Sequence, residues 1–460
     1  MENKKKLGFA EKVSYGLGAV GKDMVYMFSA SYVLYYFQDI LGVSAIAMGV
    51  ILLVARVFDA FNDPIMGVIV AKTKSRWGKF RPWLLVGTIT NAVVLYLMFA
   101  APPSLNGSGL VAYAAVTYIL WGITYTMMDI PYWSMVPAFT EAGKEREGLS
   151  ALARSCAGVG SAIVSIITVM AVSALGKAFG PENVERTGFK MFALIIAVVF
   201  IVFTLVMCIC IKEKSTVDMK SSTVKEMFTA LLKNDQAMVM VFAIVLINTA
   251  LYITANLVIY FFKYDFSGPE LWESHYTLFQ TCSGGFQILA MMILFPLLRK
   301  FINSMKIFYV SFTMSFVGYI ILLAISFSGT SNINLLLIPA FLIMSAIGML
   351  NVIVTIFLAN TVDYGELKNG TRDESVIFSM QTFVVKLASG ISAFIASVVL
   401  SVFSIGSEEA ALITDRFSRM GLRLSVTILP MVVLIVAVVV FKRKYILTDK
   451  KLAEINSQLK

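Results

Sequence analysis

Two long apolar runs constrain this chain more than any other feature of its sequence. Pro82–Met128 contains no Asp, Glu, Lys or Arg over 47 residues, and Ile307–Val362 contains none over 56 residues. A helix needs about 20 apolar residues to cross a bilayer, so each run is long enough for two crossings. Turn-forming residues interrupt each run once, at 102–109 and at 326–334. They predict two helices joined by a short loop in each run.

The rest of the chain repeats this pattern. Of its 460 residues, 58% are hydrophobic and only 14% are charged, whereas soluble domains carry about 25% charged residues. This composition excludes a soluble multidomain protein and a disordered chain. It predicts an all-α protein of the lipid bilayer with twelve transmembrane helices, at residues 14–40, 45–71, 84–101, 110–138, 150–174, 190–211, 236–262, 273–298, 305–327, 334–360, 376–405 and 420–442.

The Lys and Arg residues are unevenly divided between the two sets of loops. Of the 38, 27 lie in the termini and in the loops on their side, seven lie in the opposite loops or at the helix ends beside them, and four lie well inside predicted helices. Because positive loops stay in the cytoplasm, this division predicts cytoplasmic termini of a multi-pass protein in the cell (plasma) membrane. It also explains the net charge of +10 without a nucleic-acid partner, and none is expected.

The longest polar segment, residues 212–235, separates six predicted helices from the other six. We therefore predict an N-terminal six-helix bundle over 1–211, a central cytoplasmic loop over 212–235, a C-terminal bundle over 236–442 and a cytoplasmic tail over 443–460. Two bundles joined in this way predict a substrate cavity between them.

Charged residues inside the predicted helices carry most of the functional information. An unpaired charge at the bilayer centre costs about 2.5–3.5 kcal/mol, so these side chains must face one another or a water-filled cavity. They mark a functional site, unless they only form ion pairs that hold helices together. The eight residues that lie at least four positions from the end of a predicted helix are Lys22, Asp23, Arg56, Asp59, Asp63, Asp129, Arg154 and Lys386.

The second predicted helix carries two carboxylates one turn apart. Asp59 and Asp63 share a helix face at i, i+4, and two close carboxylates in a low dielectric need a proton or a cation between them. Asn62 adds a neutral oxygen of the kind that a small hard cation prefers. This pattern predicts a cation site, although Arg56 could neutralise the pair instead.

The fourth predicted helix presents an aromatic and acidic face. Trp121, Tyr125, Asp129 and Trp133 recur at four-residue steps. A carboxylate accepts hydrogen bonds from paired sugar hydroxyls, and an aromatic ring packs on the apolar face of a sugar. The pattern favours a sugar site over a plain helix-packing seam, because such a seam would not carry an aspartate at its centre.

Six segments resemble motifs of the glycoside–pentoside–hexuronide:cation symporters, a family of the major facilitator superfamily. The resemblance extends from Lys6 to about Lys444, and within the family the motifs resemble those of the melibiose permeases. The segments are Gly21–Asp23, Asp59–Gly67, Ser75–Trp83, Tyr125–Ser134, Thr361–Glu366 and Gln381–Lys386.

The resemblance implies a transporter and not an enzyme: sugar entry is coupled to Na⁺, or to Li⁺ or H⁺, by alternating access, without a cofactor and in a monomer. A melibiose-like galactoside is the expected substrate, with a pentoside, a glucuronide or another glycoside as alternatives. Asn351 stands where the melibiose permeases have a tryptophan, which leaves the sugar open. Two other classes remain as alternatives, an intramembrane enzyme acting on lipid and a related symporter of lipids or drugs.

The resemblance also assigns roles to single residues. Lys386 is expected near the carboxylates, where it would bridge the two bundles. The cation ligands would be Asp59, Asn62, Asp63 and Thr126. The substrate-binding residues would be Lys22, Asp23, Trp121, Tyr125, Asp129, Trp133, Arg154, Thr382 and Lys386. A cytoplasmic gate would consist of Arg76, Lys79, Arg81, Asp363, Glu366 and Arg372.

Overall fold

The computed structural model describes residues 7–213, 224–370, 372, 374–405 and 415–459, and these residues are almost entirely helical. They form two compact units. The first contains residues up to 231 together with 369–383, and the second contains 232–368 and 384–459. The division of the chain at 212–235 into bundles of six helices each stays a prediction.

The first unit is built from seven helices and the start of an eighth. Helix α1 continues into a π-helical turn at Tyr36–Ile40. The helices are α1 (Phe9–Tyr35), α2 (Ala45–Lys72), α3 (Arg81–Phe99), α4 (Gly107–Phe139), α5 (Lys144–Phe179), α6 (Val184–Cys210) and α7 (Val224–Lys233), with the first residues of α13 (Glu374–Val402).

The second unit contains the remaining helices and the rest of α13. Its helices are α8 (Asp235–Phe261), α9 (Gly268–Leu289), α10 (Phe295–Arg299), α11 (Ser304–Phe327), α12 (Ile333–Asn369), α14 (Arg416–Lys444) and α15 (Asp449–Leu459). Thr254 of α8 and Tyr319 of α11 share a hydrogen bond of 2.7 Å. Arg423 of α14 forms two hydrogen bonds of 2.7 Å with Asp265, which follows α8.

Several helices begin at a polar side chain that accepts a hydrogen bond from the first turn. Ser44 accepts from Ala47 N at the start of α2, and Asp415 accepts from Ser418 N at the start of α14. Such caps satisfy backbone donors that a helix leaves open at its N-terminus. They fix the first residues of these two helices.

Ten helices in the described part of the chain are long and apolar enough to cross a membrane. The other two long helices, α1 and α2, carry charges near their centres. These charges are Lys22 and Asp23 in α1 and Arg56, Asp59 and Asp63 in α2. A helix is present at each of the twelve predicted positions, so the predicted all-α fold is confirmed.

Small residues let α1 lie close to its neighbours. A Cβ atom at Gly16 would lie 2.9 Å from the Cys156 Sγ atom of α5, and one at Gly21 would lie 3.3 Å from the Phe200 Cα atom of α6. Small residues at such crossings are typical of membrane helices, because they allow close backbone packing. The polar residues of α1 are thereby fixed beside α5.

Helix α3 packs against helix α4 and fixes its position. A Cβ atom at Gly87 would lie 2.8 Å from the Met128 backbone nitrogen. The Asn91 side chain donates to the Trp121 carbonyl and to the Thr124 hydroxyl, at 2.9 Å each. Since a buried side-chain amide with two acceptors specifies one register, α3 fixes the position of the candidate site residues of α4 along the helix axis.

Candidate substrate and cation sites

Lys22 is the centre of a buried charge cluster in the first unit. Its Nζ atom lies 2.9 Å from Asp23 Oδ2 and 2.8 Å from Asp129 Oδ1. Only 3% of Lys22 is exposed. An ion pair buried this far is retained only where partners and geometry compensate for lost hydration. One ammonium group therefore connects α1 with the acidic residue of α4.

The Trp133 ring is covered by a cation from α5. The Cζ atom of Arg154 lies 3.9 Å from the ring centroid, and the Lys22 Nζ atom lies 5.0 Å from it. The indole N–H donates to Asp129 Oδ1 over 3.1 Å. Arg154 also has favourable electrostatic interactions with Asp23 and Asp129. The ring and the cluster thus form one connected group.

A pair of tyrosines supports the cluster. Tyr15 Oη donates to the Tyr132 carbonyl over 2.6 Å, and Tyr132 Oη donates to the Tyr15 carbonyl over 3.0 Å. Their rings are stacked with centroids 4.4 Å apart, and Lys22 Nζ lies 5.4 Å from the Tyr132 centroid. This reciprocal contact joins α1 to α4 and was not expected from the sequence.

The remaining aromatic residues of the predicted α4 face form a separate stack. Tyr125 and Trp121 lie with centroids 5.4 Å apart, and Tyr118 continues the stack at 5.8 Å from Trp121. Tyr26 of α1 packs against both Trp121 and Tyr125. Tyr125 also meets the charge cluster, because its Oη atom accepts a hydrogen bond from Lys22 Nζ over 3.4 Å.

The paired carboxylates of α2 face a different side of α4. Thr126 Oγ1 donates to Asp63 Oδ1 over 2.9 Å. Asp59 lies beside Gly122, one turn away, where an added Cβ atom would lie 2.9 Å from Asp59 Oδ1. Asp63 is fully buried and Asp59 nearly so. Carboxylate and hydroxyl oxygens are the ligands that a small hard cation prefers, so this donor set fits the predicted coupling ion.

Asn62 is brought to the same turn of α2. Its Nδ2 atom is buried and has no hydrogen-bond partner among the described residues. A side-chain amide in this position can direct its oxygen toward a cation, while its nitrogen remains able to donate a hydrogen bond. The structure therefore places Asn62, Asp59, Asp63 and Thr126 in one neighbourhood, and their role as ligands stays a prediction.

The candidate residues of α12 and α13 are divided between the units. Thr382 lies in the first unit, where its hydroxyl donates to the Phe378 carbonyl over 3.3 Å. Lys386 belongs to the second unit and is half-buried. Asn351, also in the second unit, accepts a hydrogen bond from Thr355 at its carbonyl. This placement does not give Lys386 or Asn351 a role in ligand binding, and their roles stay predictions.

Part of the predicted gate forms a compact ion-pair network in the first unit. Lys79 Nζ lies 3.2 Å from Glu374 Oε2, and Arg372 Nε lies 2.6 Å from Glu374 Oε1. Arg372 Nη2 donates to the Pro137 carbonyl of α4 over 2.6 Å. The network connects the loop between α2 and α3 with α4 and with the start of α13.

Glu213 organises the same loop from the end of α6. Its carboxylate accepts hydrogen bonds from the backbone nitrogens of Lys79, Phe80 and Arg81, at 2.5, 2.9 and 2.7 Å. Gly78 beside it has φ +102°, and a Cβ atom there would collide with Glu213. A residue without a side chain is therefore required at this turn.

Glu213 and Glu374 were both missed by the sequence analysis. Both lie outside the apolar runs. The partners of Glu213 and the Lys79 partner of Glu374 are distant in sequence, whereas Arg372 is only two residues from Glu374. The glycine within the Ser75–Trp83 motif was the available signal for a tight turn. The other gate candidates are less closely placed: Arg76 is exposed and Arg81 half-buried, while Asp363 and Glu366 belong to the second unit. Their contribution to a cytoplasmic gate stays a prediction.

Comparison with known proteins identifies the family of this chain. Residues 14–449 match the family described as MFS/sugar transport protein. The chain is 28% identical to the lactose permease of Lactobacillus delbrueckii subsp. bulgaricus, over 99% of this chain and 73% of the permease. It is 29% identical to the isoprimeverose transporter of Lactiplantibacillus pentosus, over 87% and 81% of the two chains.

Two further comparisons agree with this result. The raffinose carrier protein of Pediococcus pentosaceus is 27% identical, over 97% of this chain and 71% of the carrier. The proton:xylose symporter XylE, solved with 6-bromo-6-deoxy-D-glucose, has the same fold, with a TM-score of 0.64, 13% identity and coverage of 98% and 99%. The chain belongs to the glycoside–pentoside–hexuronide symporters of the major facilitator superfamily, and is a multi-pass membrane transporter of sugars rather than an enzyme.

Proposed function

We propose that this protein is a cation-coupled sugar symporter that works by alternating access. Na⁺ is the proposed coupling ion, with Li⁺ and H⁺ as alternatives, and a melibiose-like galactoside is the proposed substrate. The protein acts as a monomer in the cell membrane, with both termini in the cytoplasm. The names of its relatives, which include lactose and raffinose carriers, support a glycoside as the substrate.

One observation carries this proposal: α4 bears two polar sites on adjacent faces. Asp129 and Trp133 meet the charge cluster of α1 and α5. Gly122 and Thr126 meet the carboxylates of α2. A movement of α4 that suits one ligand therefore changes the surroundings of the other, and this gives coupling a physical basis.

The coupling follows from charge. When the cation site is empty, Asp59 and Asp63 repel each other across one helical turn. A cation removes that repulsion and favours the packing of α2 on α4, which fixes Asp129 and Trp133 for the sugar. Because coupling free energy is reciprocal, the sugar must strengthen cation binding by the same factor.

Transport into reconstituted vesicles tests the proposal directly. Galactosides, xylosides and glucuronides should be offered with inward gradients of Na⁺, Li⁺ or H⁺. We expect one gradient to drive accumulation of an intact glycoside. Asp59→Asn should abolish that accumulation but keep exchange of the sugar without a cation gradient. Uptake that ignores all three gradients, or gradient-driven accumulation by Asp59→Asn, would contradict the proposal.

A further inference from the structure

The charged groups of the candidate sugar site in the first unit compensate one another. Two cations, Lys22 and Arg154, are matched by two carboxylates, Asp23 and Asp129. From this balance we infer that the site selects uncharged glycosides and rejects glycosides that carry a carboxylate, such as uronides. The inference rests on the proposed function, since it names the class of sugar that the site accepts.

Both cations are engaged by groups of the protein. Lys22 lies within 2.9 Å of both carboxylates and is nearly fully buried. Arg154 stacks on Trp133 at 3.9 Å and interacts with the same two carboxylates. Neither cation can neutralise a ligand carboxylate without weakening its ion pair with Asp23 or Asp129.

The consequences differ for the two kinds of sugar. A neutral ring donates hydroxyl hydrogen bonds to the aspartates and accepts from the cations, so the charge of the cluster stays at zero. A uronide adds one negative charge to a buried site, where an uncompensated charge is costly. Discrimination arises because the wrong ligand leaves a charge without compensation.

The neighbouring cation site offers no spare positive charge within the first unit. The two negative charges of Asp59 and Asp63 exceed the single positive charge of Arg56 by one. A bound monovalent cation restores neutrality. Of the eight intramembrane charges, only Lys386 belongs to the second unit. Equal binding of a uronide would therefore require this lysine, or another cation from outside the first unit, to complete the site.

Calorimetric titration of matched sugar pairs tests the inference. Methyl galactoside and methyl galacturonide, and the corresponding gluco pair, should be titrated at pH 7 with saturating cation. We expect the uronide of each pair to bind at least about ten-fold more weakly than its neutral partner. A uronide that binds as tightly as the neutral sugar overturns the inference. If no sugar binds at all, the proposed function fails, and this inference with it.

A charge variant sharpens the test. Asp23→Asn leaves the cluster with one excess positive charge, so the ratio of uronide to neutral affinity should rise by about ten-fold. Glu185→Gln is the matched control, because it removes the charge of an exposed glutamate outside the cluster; its ratio should equal that of the wild type. An unchanged ratio in Asp23→Asn would contradict the role given to the charge balance. If that variant binds neither sugar, the wild-type ratio decides.

Discussion

Asp59 of α2 lies against Gly122 of α4, so that a methyl group at position 122 would lie 2.9 Å from the Asp59 Oδ1 atom. This separation is shorter than ordinary contacts of a Cβ atom, and the carboxylate would have to move. The absence of a side chain at Gly122 is therefore part of the candidate cation site. It gives the carboxylate the room to approach α4 while Asp63 is held by Thr126 one turn further along.

The first prediction concerns this contact. Gly122→Ala should weaken cation binding by roughly ten-fold, because overpacking a fitted site typically costs about 1–3 kcal/mol. The loss should be smaller for Li⁺ than for Na⁺, because the added methyl group reduces the space for the cation and Li⁺ is the smaller ion. Isothermal titration with each cation, without sugar, measures both effects. The control is Gly148→Ala, because an added Cβ atom there meets nothing within 4 Å. Equal Na⁺ affinity in Gly122→Ala and wild type would refute the prediction.

The second prediction separates sugar binding from cation binding. Asp129→Asn should weaken sugar binding by about ten- to one-hundred-fold, because charge-assisted hydrogen bonds contribute about 1.5–3 kcal/mol each. Trp133→Phe should have a smaller effect of about three- to ten-fold, since it keeps an aromatic face. Both variants should keep cation affinity in the absence of sugar. Separate titrations of sugar and cation provide the measurement. Loss of sugar-free cation binding in Asp129→Asn would show that the two sites are not divided as described.

The third prediction concerns the ion pairs of Glu374. Glu374→Gln removes the partner of both Lys79 and Arg372, so the first unit should lose about 3–5 kcal/mol of stability. Lys79→Gln should cost less, because Arg372 still pairs with Glu374 at 2.6 Å. A double-mutant cycle of Lys79 and Glu374, read by thermal unfolding in detergent, measures the coupling.

The exposed pair of Lys368 and Asp235 provides the control for that cycle. Their side chains are 42% and 50% exposed, and exposed pairs contribute about 0–1 kcal/mol. Lys368→Gln should therefore change the melting temperature little. If it destabilises the protein as much as Glu374→Gln does, burial is not what gives the Glu374 network its strength.

The fourth prediction uses the pH dependence of Glu213. Burial raises the pKa of this carboxyl above its ordinary value of 4.5, although the backbone donors of the loop and Arg81 oppose the shift. Because the folded state binds this proton more tightly than the unfolded chain does, the stabilisation is present below pH 4.5 and is lost as pH rises through the raised pKa. Glu213→Gln cannot show this loss.

Melting temperatures measured across that window provide the test. The melting temperature of Glu213→Gln, relative to wild type, should rise as pH increases from 4.5 through the raised pKa. The constant cost of the lost backbone hydrogen bonds does not affect this slope. Glu185→Gln, which changes an exposed glutamate, should give parallel curves. A difference between Glu213→Gln and wild type that is independent of pH would contradict the raised pKa of Glu213.

The sequence predicted the helices and the faces of α2 and α4 because both depend on local order. Apolar run length determines where a helix can cross, and four-residue spacing places Asp59 with Asp63, and Asp129 with Trp133. The cover of Arg154 over Trp133 and the fit of Asp59 against Gly122 depend on which helices become neighbours. Glu213 was invisible for the same reason: its three backbone donors lie 132–134 residues earlier.

The stacking of Arg154 on Trp133 also has a spectroscopic consequence. An indole whose face is covered by a guanidinium and whose N–H is bound to a carboxylate emits from a strongly polar setting. A sugar that packs on the ring face replaces the guanidinium with carbon-bound hydrogens. The fluorescence emission of Trp133 must then change. The chain has five tryptophans, and of these Trp133 is the one that the Arg154 side chain covers. A variant that keeps Trp133 and carries phenylalanine at the other four positions would report sugar binding through its intrinsic fluorescence, without an added label.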